Sequence, residues 1–523
     1  MEYGRPRPVM GVYAWLALLL LLPVGTLAAV GRFDGLYGQD PFAYYDYAVG
    51  PLRQSLLRLS PLPPFFWPPG YPLLVALVSF VAGPIPLAGQ LVSLAAGGIV
   101  PVFTAGLARE VWRLDDRAAD AWRVVPVVAG LVTALTAQLW QSSVVVMSDT
   151  TGLAAVTLGA WALARNWREG KLNWLILAGV ALAWAVLTRW VYSLVLVPCA
   201  LYALLLLGRR LKEGASARRF LLHGAVAALA AGVILTPPLS AALTRLLAPA
   251  RATVAFGGDL EVARVWHPLN FLKRDFVTAD GYQHYRLPNG LYYALAPAHR
   301  LYFTPLLAPL MLPGLWAMLR RRDKALLMLI VGWAAIVYGM LAGIPWQNFR
   351  FTLAYLPPLA ILVAVGLVQV QRWLVGWAGR WSAVARGLPG LLIVGLAWMA
   401  VGGAQLTQGF IARKAAQLDI VRRVGAQMPP HARLLTFNLT STFRHYSRIE
   451  TLELYELNAA DLSGLLADRR PAYLLLDVAS VETQWAGHPP AENYHWLRDG
   501  PGLVRLDAFA EYTLFQVNGE SDG

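Results

Sequence analysis

The sequence predicts a mostly helical polytopic membrane protein that crosses the bilayer about eleven times and ends in a small α/β domain outside. Of its 523 residues, 57% are hydrophobic and only 14% are charged. The mean hydropathy is +0.50, and a soluble chain of this length cannot bury that much apolar surface. Long apolar runs follow one another up to residue 406, and the composition then changes. We therefore expect a membrane domain over 1–406 and an extracytoplasmic domain over 407–523.

The apolar runs give the predicted spans directly. They are 9–30, 87–108, 124–140, 150–164, 173–187, 190–207, 220–245, 301–319, 325–343, 351–371 and 389–406. The first run follows Arg5 and Arg7 and has some features of a secretory signal. Its length and the spans that follow favour an uncleaved anchor.

The basic residues orient these spans. With a cytoplasmic N-terminus, the inside segments hold 21 Lys and Arg, and the short outside segments hold 5. Cytoplasmic loops are richer in Lys and Arg, so this orientation is favoured and places the C-terminus outside. Counting the run at 71–86 as a span would reverse the bias. We therefore predict a proline-bounded juxtamembrane helix there, within an outer-face loop 31–86; a second outer loop covers 249–300.

Composition also excludes several classes of function. The only cysteine, Cys199, lies in an apolar run, which excludes disulfides and cysteine-based metal or redox sites. No glycine-rich nucleotide-binding motif is present. The formal charge of +14 is spread between the apolar runs and reflects topology, so no nucleic-acid partner is expected. Chemistry is expected on the outer face, where activated small molecules usually arrive attached to a lipid.

The tail after residue 407 has the pattern of an α/β domain. Strands are predicted over 431–438, 451–455 and 471–478, and a closing hairpin over 503–517. A capped amphipathic helix is predicted over 458–470. No catalytic motif is visible in this tail.

The first outer loop, "GLYGQDPFAYYDYAVGPL", combines acids with tyrosines. Asp40 followed by Pro41 is typical of a helix N-cap with proline at the first helical position. The tyrosines 44, 45 and 47 and Trp67 suit an aromatic belt at the membrane interface, or a platform for a sugar. Local sequence leaves both interpretations open.

The order of several segments resembles the GT-C glycosyltransferases. The segments are "QDPFAYYDYA", "WPPGYPLLVAL", "MSDTTGLAAVTLGAWALAR" and "FRFTLAYLPPLAILVAV". They are most similar to the dolichyl-phosphate-mannose protein mannosyltransferase and aminoarabinose transferase superfamily, over about residues 9–410. The resemblance implies a GT-C fold and a lipid-phosphate-linked sugar donor. It also implies a functional Asp in the first outer loop.

The resemblance carries over to individual residues. Asp40, Tyr44 and Ala48 match the family's first-loop pattern, in which Pro41 replaces a frequent Glu. Phe66 and Trp67 stand where some members have a Glu and a Lys, so a metal or phosphate contact there does not carry over.

Later positions match as well. Asp149 matches an acidic position at the outer end of a helix, and Arg350 matches a basic residue of a late motif.

The chemistry of sugar transfer requires such groups. A base must take the proton of the acceptor hydroxyl, and fixed positive charge must stabilise the leaving phosphate. We assign Asp40 as the base and Arg350 as the main phosphate contact, with Arg189, Tyr44 and Asp46 as further substrate-binding candidates.

Other roles remain open for some of these residues. Asp149 either shapes the pocket or caps a helix that begins at Thr150. Arg350 is either the phosphate contact or an interfacial anchor whose side chain snorkels to the membrane surface.

The sequence therefore predicts a glycosyltransferase that moves a sugar from a polyprenyl-phosphate donor to a lipid, glycan or protein acceptor at the cytoplasmic membrane. No cofactor is expected; a divalent metal at Asp40 and Asp149 is an alternative. His267 and His284 lack ligand spacing and are interpreted as ordinary loop residues. The rival functions are a lipid or solute transporter without transfer chemistry, which would place charged groups inside the spans, and a non-catalytic assembly subunit.

Overall fold

A computed structural model describes residues 10–112, 121–214, 217–247, 265–321, 323–376, 382–468 and 470–518. The chain divides into two compact units. The first comprises Met1–Gly35, Tyr44–Phe271 and Asn289–Gly409. The second comprises Leu36–Ala43, Leu272–Pro288 and Phe410–Gly523.

Helices form nearly all of the first unit. They are α1 Met10–Val30, α2 Asp40–Tyr47 (its first half in the second unit), α3 Arg53–Leu57, α4 Gly70–Ala82, α5 Pro86–Trp112, α6 Ala121–Ala134, α7 Ala137–Val144, α8 Asp149–Glu169, α9 Leu172–Thr188, α10 Ser193–Lys212, α11 Ala217–Leu247, α12 Asn289–Leu295, α13 Thr304–Leu307, α14 Met311–Arg320, α15 Lys324–Leu327, α16 Trp333–Gly343, α17 Leu356–Gly376 and α18 Ser382–Gln427, which continues into the second unit. Each predicted apolar run falls on one or more of these helices. The protein is a multi-pass membrane protein.

Six described helices are long and apolar enough to cross a membrane, and a bent pair raises this number to seven. Leu172–Thr188 and Phe220–Thr236 are apolar but shorter. The total of eleven spans therefore stays a prediction. Gly70–Ala82 is a separate helix of 13 residues, in agreement with the short helix expected near 71–86.

The predicted span at 124–140 is broken. Helices α6 and α7 meet at an angle of 55°. Thr133 and Thr136 donate their hydroxyls to carbonyls one turn back, at 2.8 and 2.9 Å, a pattern that bends helices. The break turns the chain so that α7 ends at Val144, five residues before Asp149.

The second unit contains a mixed five-stranded sheet. Its strands are β3 Arg433–Thr436, β4 Glu450–Glu453, β5 Ala472–Leu476, β6 Leu503–Phe509 and β7 Tyr512–Val517, in the order β4-β3-β5-β7-β6. Strand β3 runs parallel to β4 and β5, and the other neighbours are antiparallel. Helices of this unit are α19 Thr440–Tyr446, α20 Ala459–Ala467, α21 Val478–Thr483 and α22 Pro489–Asp499.

Both faces of this sheet are covered. Leu474 and Leu476 point into one apolar cluster, and Tyr473 and Leu475 point into another. All five residues of β5 are therefore buried, as is usual for the central strand of such a sheet. The strands confirm the predicted pattern of the tail. The capped helix is also confirmed, because Asn458 and Asp461 form a capping box.

One element of the second unit was not predicted. Strands β1 Asp275–Thr278 and β2 Gly281–His284 form an antiparallel pair within the second outer loop. The backbone N–H of Tyr282 donates to the Gln484 carbonyl at 2.7 Å. The hairpin therefore packs on the C-terminal residues, which lie about 200 positions away in sequence.

Candidate active site

Asp149 is the first residue of α8, and its side chain is only 5% exposed. Ser148 precedes the helix and makes no side-chain capping bond. Because α8 already begins at Asp149, with Ser148 at the N-cap position, the alternative in which Asp149 caps a helix that begins at Thr150 is wrong. Its carboxylate instead faces two arginines from distant parts of the chain.

The two arginines approach opposite oxygens of this carboxylate. Arg189 Nη1 forms an ion pair with Asp149 Oδ1, and Arg350 Nε lies 3.6 Å from Asp149 Oδ2. Arg189 has an extended backbone directly after α9, and Arg350 lies on the 3₁₀ turn Phe349–Tyr355. One carboxylate between two guanidinium groups leaves the cluster with a formal excess of one positive charge.

Aromatic and sulfur contacts hold both arginines in this cluster. The Phe351 ring lies 5.8 Å from Arg189 Cζ and 5.6 Å from Arg350 Cζ, within cation–π range. Arg350 Nη1 is 2.9 Å from Met147 Sδ. The side chains of Arg189 and Arg350 are 16% and 25% exposed, so most of each side chain is buried against protein neighbours.

A hydrogen-bond network fixes the backbone around Asp149. Tyr71 and Ser93 share a hydroxyl contact of 2.9 Å, and the Ser93 hydroxyl donates to the Met147 carbonyl at 3.3 Å. Thr150 donates to the Ser93 carbonyl at 3.0 Å. These bonds attach both sides of Asp149 to α5, which limits movement of the carboxylate.

Two glycines allow the close packing that brings Arg189 to this position. A Cβ at Gly70 would lie 2.7 Å from Thr188 Oγ1, and a Cβ at Gly152 would lie 2.5 Å from Tyr192 Cε2. Both distances are too short for a real side chain. The glycines of the "PPGYP" and "SDTTG" segments therefore let α4 and α8 contact the chain on either side of Arg189.

Three tyrosines of the first outer loop, Tyr44, Tyr45 and Tyr47, are buried, so the aromatic-belt interpretation is wrong for them. Tyr44, Tyr45 and Tyr47 are 4–7% exposed. Tyr44 stacks on Trp67 at 5.1 Å between ring centroids, and Tyr47 stacks on Phe65 at 3.9 Å. The Tyr44 hydroxyl lies 3.2 Å from Ser148 Oγ, which places this aromatic cluster beside the Asp149 segment.

Asp40 belongs to the second unit and begins α2. The Ala43 N–H donates to the Gln39 carbonyl at 3.3 Å, so Asp40 stands in the first turn and not at the predicted cap. An acid in the first turn interacts favourably with the helix dipole. The buried Phe42 fixes this end of α2, because Lys414 Nζ lies 5.0 Å from its ring centroid.

Asp46 differs from Asp40 in its surroundings. It is exposed on α2. Burial raises the pKa of its neighbour Tyr45, and the charges of Asp46 and Asp34 raise that pKa further. The Tyr45 hydroxyl donates to the Pro84 carbonyl at 2.8 Å.

The Asp149 carboxylate is poorly suited to a divalent cation, because an arginine already faces each of its oxygens. Within the described ranges, no group of three or more His, Cys, Asp or Glu side chains has metal-binding geometry. The two loop histidines have local partners. His284 Nδ1 lies 2.5 Å from Asp275 Oδ1, and His267 Nδ1 accepts the Leu269 N–H at 3.2 Å.

The sequence favours Arg350 over Arg189 as the phosphate contact, although Arg189 makes the more direct contact with Asp149. The sequence does indicate a special role for Arg189 by its position, because Arg189 is the only charged residue of a two-residue connection between apolar runs. Met147, Ser148 and Phe351 were not singled out at all. Their residue types carry no chemical signal until the fold places them beside the arginines.

No protein-family model and no curated protein sequence matches the chain. Solved structures match it in fold. ArnT from Cupriavidus metallidurans bound to undecaprenyl phosphate is 15% identical, with a TM-score of 0.61 over 96% of this chain and 98% of ArnT. The archaeal oligosaccharyltransferase AglB from Archaeoglobus fulgidus, in complex with an inhibitory peptide and a dolichol-phosphate, is 11% identical, with a TM-score of 0.54 over 98% of this chain and 74% of AglB. Both are GT-C glycosyltransferases, and the predicted GT-C fold is confirmed.

Proposed function

We propose that this chain, which has the GT-C fold, is a glycosyltransferase that moves a sugar from a polyprenyl-phosphate donor to an acceptor hydroxyl on the outer face of the cytoplasmic membrane. The main support for this proposal is that Arg189 and Arg350 both form ion pairs with the buried carboxylate of Asp149. Their excess positive charge suits an anionic group such as a phosphate.

The leaving group explains why two arginines are needed. Transfer breaks the bond between the sugar C1 and the phosphate oxygen and forms a bond from C1 to the acceptor oxygen. The lipid phosphate then carries the additional negative charge. Guanidinium groups stay protonated and bond phosphate oxygens in pairs, so Arg189 and Arg350 would stabilise this charge as it develops.

Asp149 would act by holding the arginines in place. Without it, two like charges would repel one another in a partly buried site. Tyr44, bonded to Ser148, would support the same segment from the aromatic cluster.

We assign the base to Asp40, which accepts the proton of the acceptor hydroxyl as that oxygen attacks C1. This assignment comes from the resemblance of "QDPFAYYDYA" to the first loop of the family. The undecaprenyl phosphate bound by ArnT and the dolichol-phosphate bound by AglB support the donor class. We assign neither the identity of the sugar nor that of the acceptor.

Turnover by the purified protein tests the proposed function. Detergent-solubilised protein is incubated with a set of radiolabelled polyprenyl-phosphate sugars, and released or transferred sugar is measured. We expect turnover of at least one donor. A transporter or an assembly subunit predicts none, and absence of turnover across the set, with intact donor binding, would favour those functions.

Asp40→Asn tests the base. Asparagine keeps the size and polarity of the side chain, so we expect a change in melting temperature of a few degrees or less. Asparagine accepts no proton at neutral pH, so transfer should fall by about 10²–10⁴-fold. Asp46→Asn and Asp34→Asn are measured beside it. An active Asp40→Asn with an inactive Asp46→Asn would move the role to Asp46.

A further inference from the structure

The carboxyl ends of strands β3, β4 and β5 meet at the same end of the sheet in the second unit, because β3 runs parallel to both neighbours. The helices that follow these strands lie on opposite faces of the sheet. Phe443 of α19 packs in the apolar cluster that contains Leu475. Leu462 of α20 and Val481 of α21 pack in the other cluster, which contains Leu474. Strand β3 therefore borders a topological switch point, and open α/β sheets bind ligands in the crevice at the carboxyl ends of such strands.

The segments that follow these three strands exclude the ligand that such a crevice often binds. They are 437–439, 454–458 and 477–488, and their only charged residues are acids. A phosphate or a nucleotide requires N–H groups and positive charge, which a glycine-rich loop and basic side chains usually supply. These segments contain neither, so their composition favours an uncharged ligand.

Three aromatic side chains gather at this end of the sheet. Phe437 follows β3, Tyr455 follows β4, and Trp485 follows α21. The Trp485 indole stands edge-on to the other two rings, with centroid distances of 4.7 Å to Phe437 and 5.9 Å to Tyr455. The rings of Phe437 and Tyr455 are nearly parallel, with an interplanar angle of 17°. These contacts hold the Tyr455 ring in one orientation.

Tyr455 is the most accessible of the three aromatic residues. It is 38% exposed, whereas Phe437 and Trp485 are 6% and 7% exposed. One exposed ring forms a platform for the flat apolar face of a pyranose, because the C–H groups of the sugar suit the electron-rich face of an aromatic ring. A cationic ligand is favoured less, since an aromatic cage surrounds an ammonium group with several ring faces.

Polar groups suited to sugar hydroxyls border this aromatic cluster. Asn438 directly follows Phe437 and is exposed, and its side chain makes no hydrogen bond among the described residues. The ring of the half-buried His488 lies 5.9 Å from that of Trp485. An amide and a neutral imidazole each donate and accept hydrogen bonds, as the recognition of hydroxyl groups requires.

The chain that carries Trp485 is fixed by the hairpin of β1 and β2. The Gln484 carbonyl accepts the Tyr282 N–H at 2.7 Å, and the Gln484 amide donates to the Asp280 carbonyl at 2.8 Å. A surface that is already ordered loses little conformational freedom when a ligand binds.

We propose that this surface of the second unit binds an uncharged glycan, with one pyranose ring stacked on Tyr455. Asn438 and His488 would exchange hydrogen bonds with the hydroxyl groups of that ring. The sequence predicts an extracytoplasmic position for this unit, where glycans are available. The proposal is independent of the transfer reaction, because it concerns binding without a donor.

Retention on polysaccharide columns tests the site. Full-length protein in detergent is passed over immobilised mannan, dextran and galactan, over acidic polygalacturonate and over cationic chitosan. High salt screens the net positive charge of the chain. We expect retention on at least one of the three uncharged polysaccharides and release by its free oligosaccharide. Absence of retention on all three, or stronger retention on polygalacturonate or chitosan, would overturn the proposal.

Variants of Tyr455 locate the binding surface. Tyr455→Ala should weaken retention by about tenfold or more, because it removes the stacking platform. Tyr455→Phe keeps the ring and should bind nearly as well as the wild type. Val504→Ala, at an exposed residue of β6, is the control and should leave retention unchanged. Wild-type retention by Tyr455→Ala would contradict the proposal.

Asn438→Gly separates hydrogen bonding from folding. Asn438 has a left-handed backbone, with φ +69°, and glycine adopts this conformation without steric cost. The melting temperature should therefore not fall, while retention should fall severalfold through loss of the amide. Unchanged retention by both Asn438→Gly and Tyr455→Ala would place glycan binding elsewhere in the chain.

Discussion

Two of the clusters in which arginines meet carboxylates differ in charge balance and in the burial of the carboxylates. In the first unit, Arg189 and Arg350 both pair with the carboxylate of Asp149, which is 5% exposed. In the second unit, two arginines and two acids form a closed ring. Its members are Arg433, Glu450, Asp468 and Arg470.

The ring of the second unit is neutral, and three of its four side chains are at least 34% exposed, whereas Arg433 is 12% exposed. Its ion pairs have N–O distances of 2.5–3.3 Å, and Glu450 and Asp468 are 45% and 52% exposed. It connects β3, β4 and the chain between α20 and β5. Ion pairs of this kind contribute little to stability, because water and salt screen them. The comparison teaches that burial and excess charge distinguish a candidate ligand site from a structural network.

The largest effect is expected for Asp149→Asn. This change removes the charge that separates two partly buried guanidinium groups, and breaking such a pair costs about 3–5 kcal/mol of unfolding free energy. The measurement is the melting temperature with and without polyprenyl phosphate. The phosphate should raise the melting temperature more in the Asn variant than in the wild type, because binding restores the missing negative charge.

The second prediction compares conservative changes in the two clusters. Arg350→Lys keeps the charge but loses paired bonding to a phosphate, so turnover should fall by about 10–100-fold. Arg470→Lys in the exposed ring is the matched control and should keep full turnover. Equal activity of both variants would remove the functional distinction between the clusters.

The third prediction concerns Glu453, an acid of the second unit with no ion pair to an arginine among the described residues. Burial raises its pKa above the usual 4.5, so the folded state binds the proton more tightly than the unfolded state. Its contribution to stability is present below about pH 4.5 and is lost as pH rises through the raised pKa. Glu453→Gln should abolish this part of the pH dependence in melting of the C-terminal domain. An unchanged pH profile would contradict the assignment.

The smallest effect is expected for Arg470→Gln. Arg470 bonds Glu450 at 2.7 Å and Asp468 at 3.1 Å, but solvent screens both pairs. We expect unchanged turnover and a smaller shift in melting temperature than for any variant above, and the shift should shrink further in high salt. A large loss of stability would contradict this expectation and show that the exposed ring is a structural determinant of the domain.

Local sequence patterns predicted most of the secondary-structure elements named in the sequence analysis. The apolar runs, the capping residues before α20 and the strand composition of β3 to β7 correspond to elements of the structure, because periodicity and capping act over a few residues. The short separate helix near 71–86 was predicted from the distribution of Lys and Arg, because counting this run as a span would reverse the charge bias. The hairpin of β1 and β2 was missed, since its contact with Gln484 depends on chain about 200 residues away.

The candidate site was predicted only as separate residues. Asp149 and Arg350 were predicted because they match acidic and basic positions of the resembled family, and Arg189 was added as a residue of similar type to Arg350. Their convergence depends on the break between α6 and α7 and on close packing at Gly70 and Gly152. No short pattern encodes that packing.

The sequence by itself determined the membrane class, the GT-C resemblance and the residue types available for phosphate chemistry, because hydropathy and charge are properties of each residue. Tertiary structure alone decided that Tyr44, Tyr45 and Tyr47 are buried and that Asp149 pairs with arginines 40 and 201 positions away. These facts depend on which elements become neighbours. Neighbours are selected by packing over the whole chain, and a local pattern records only which side of an element is apolar.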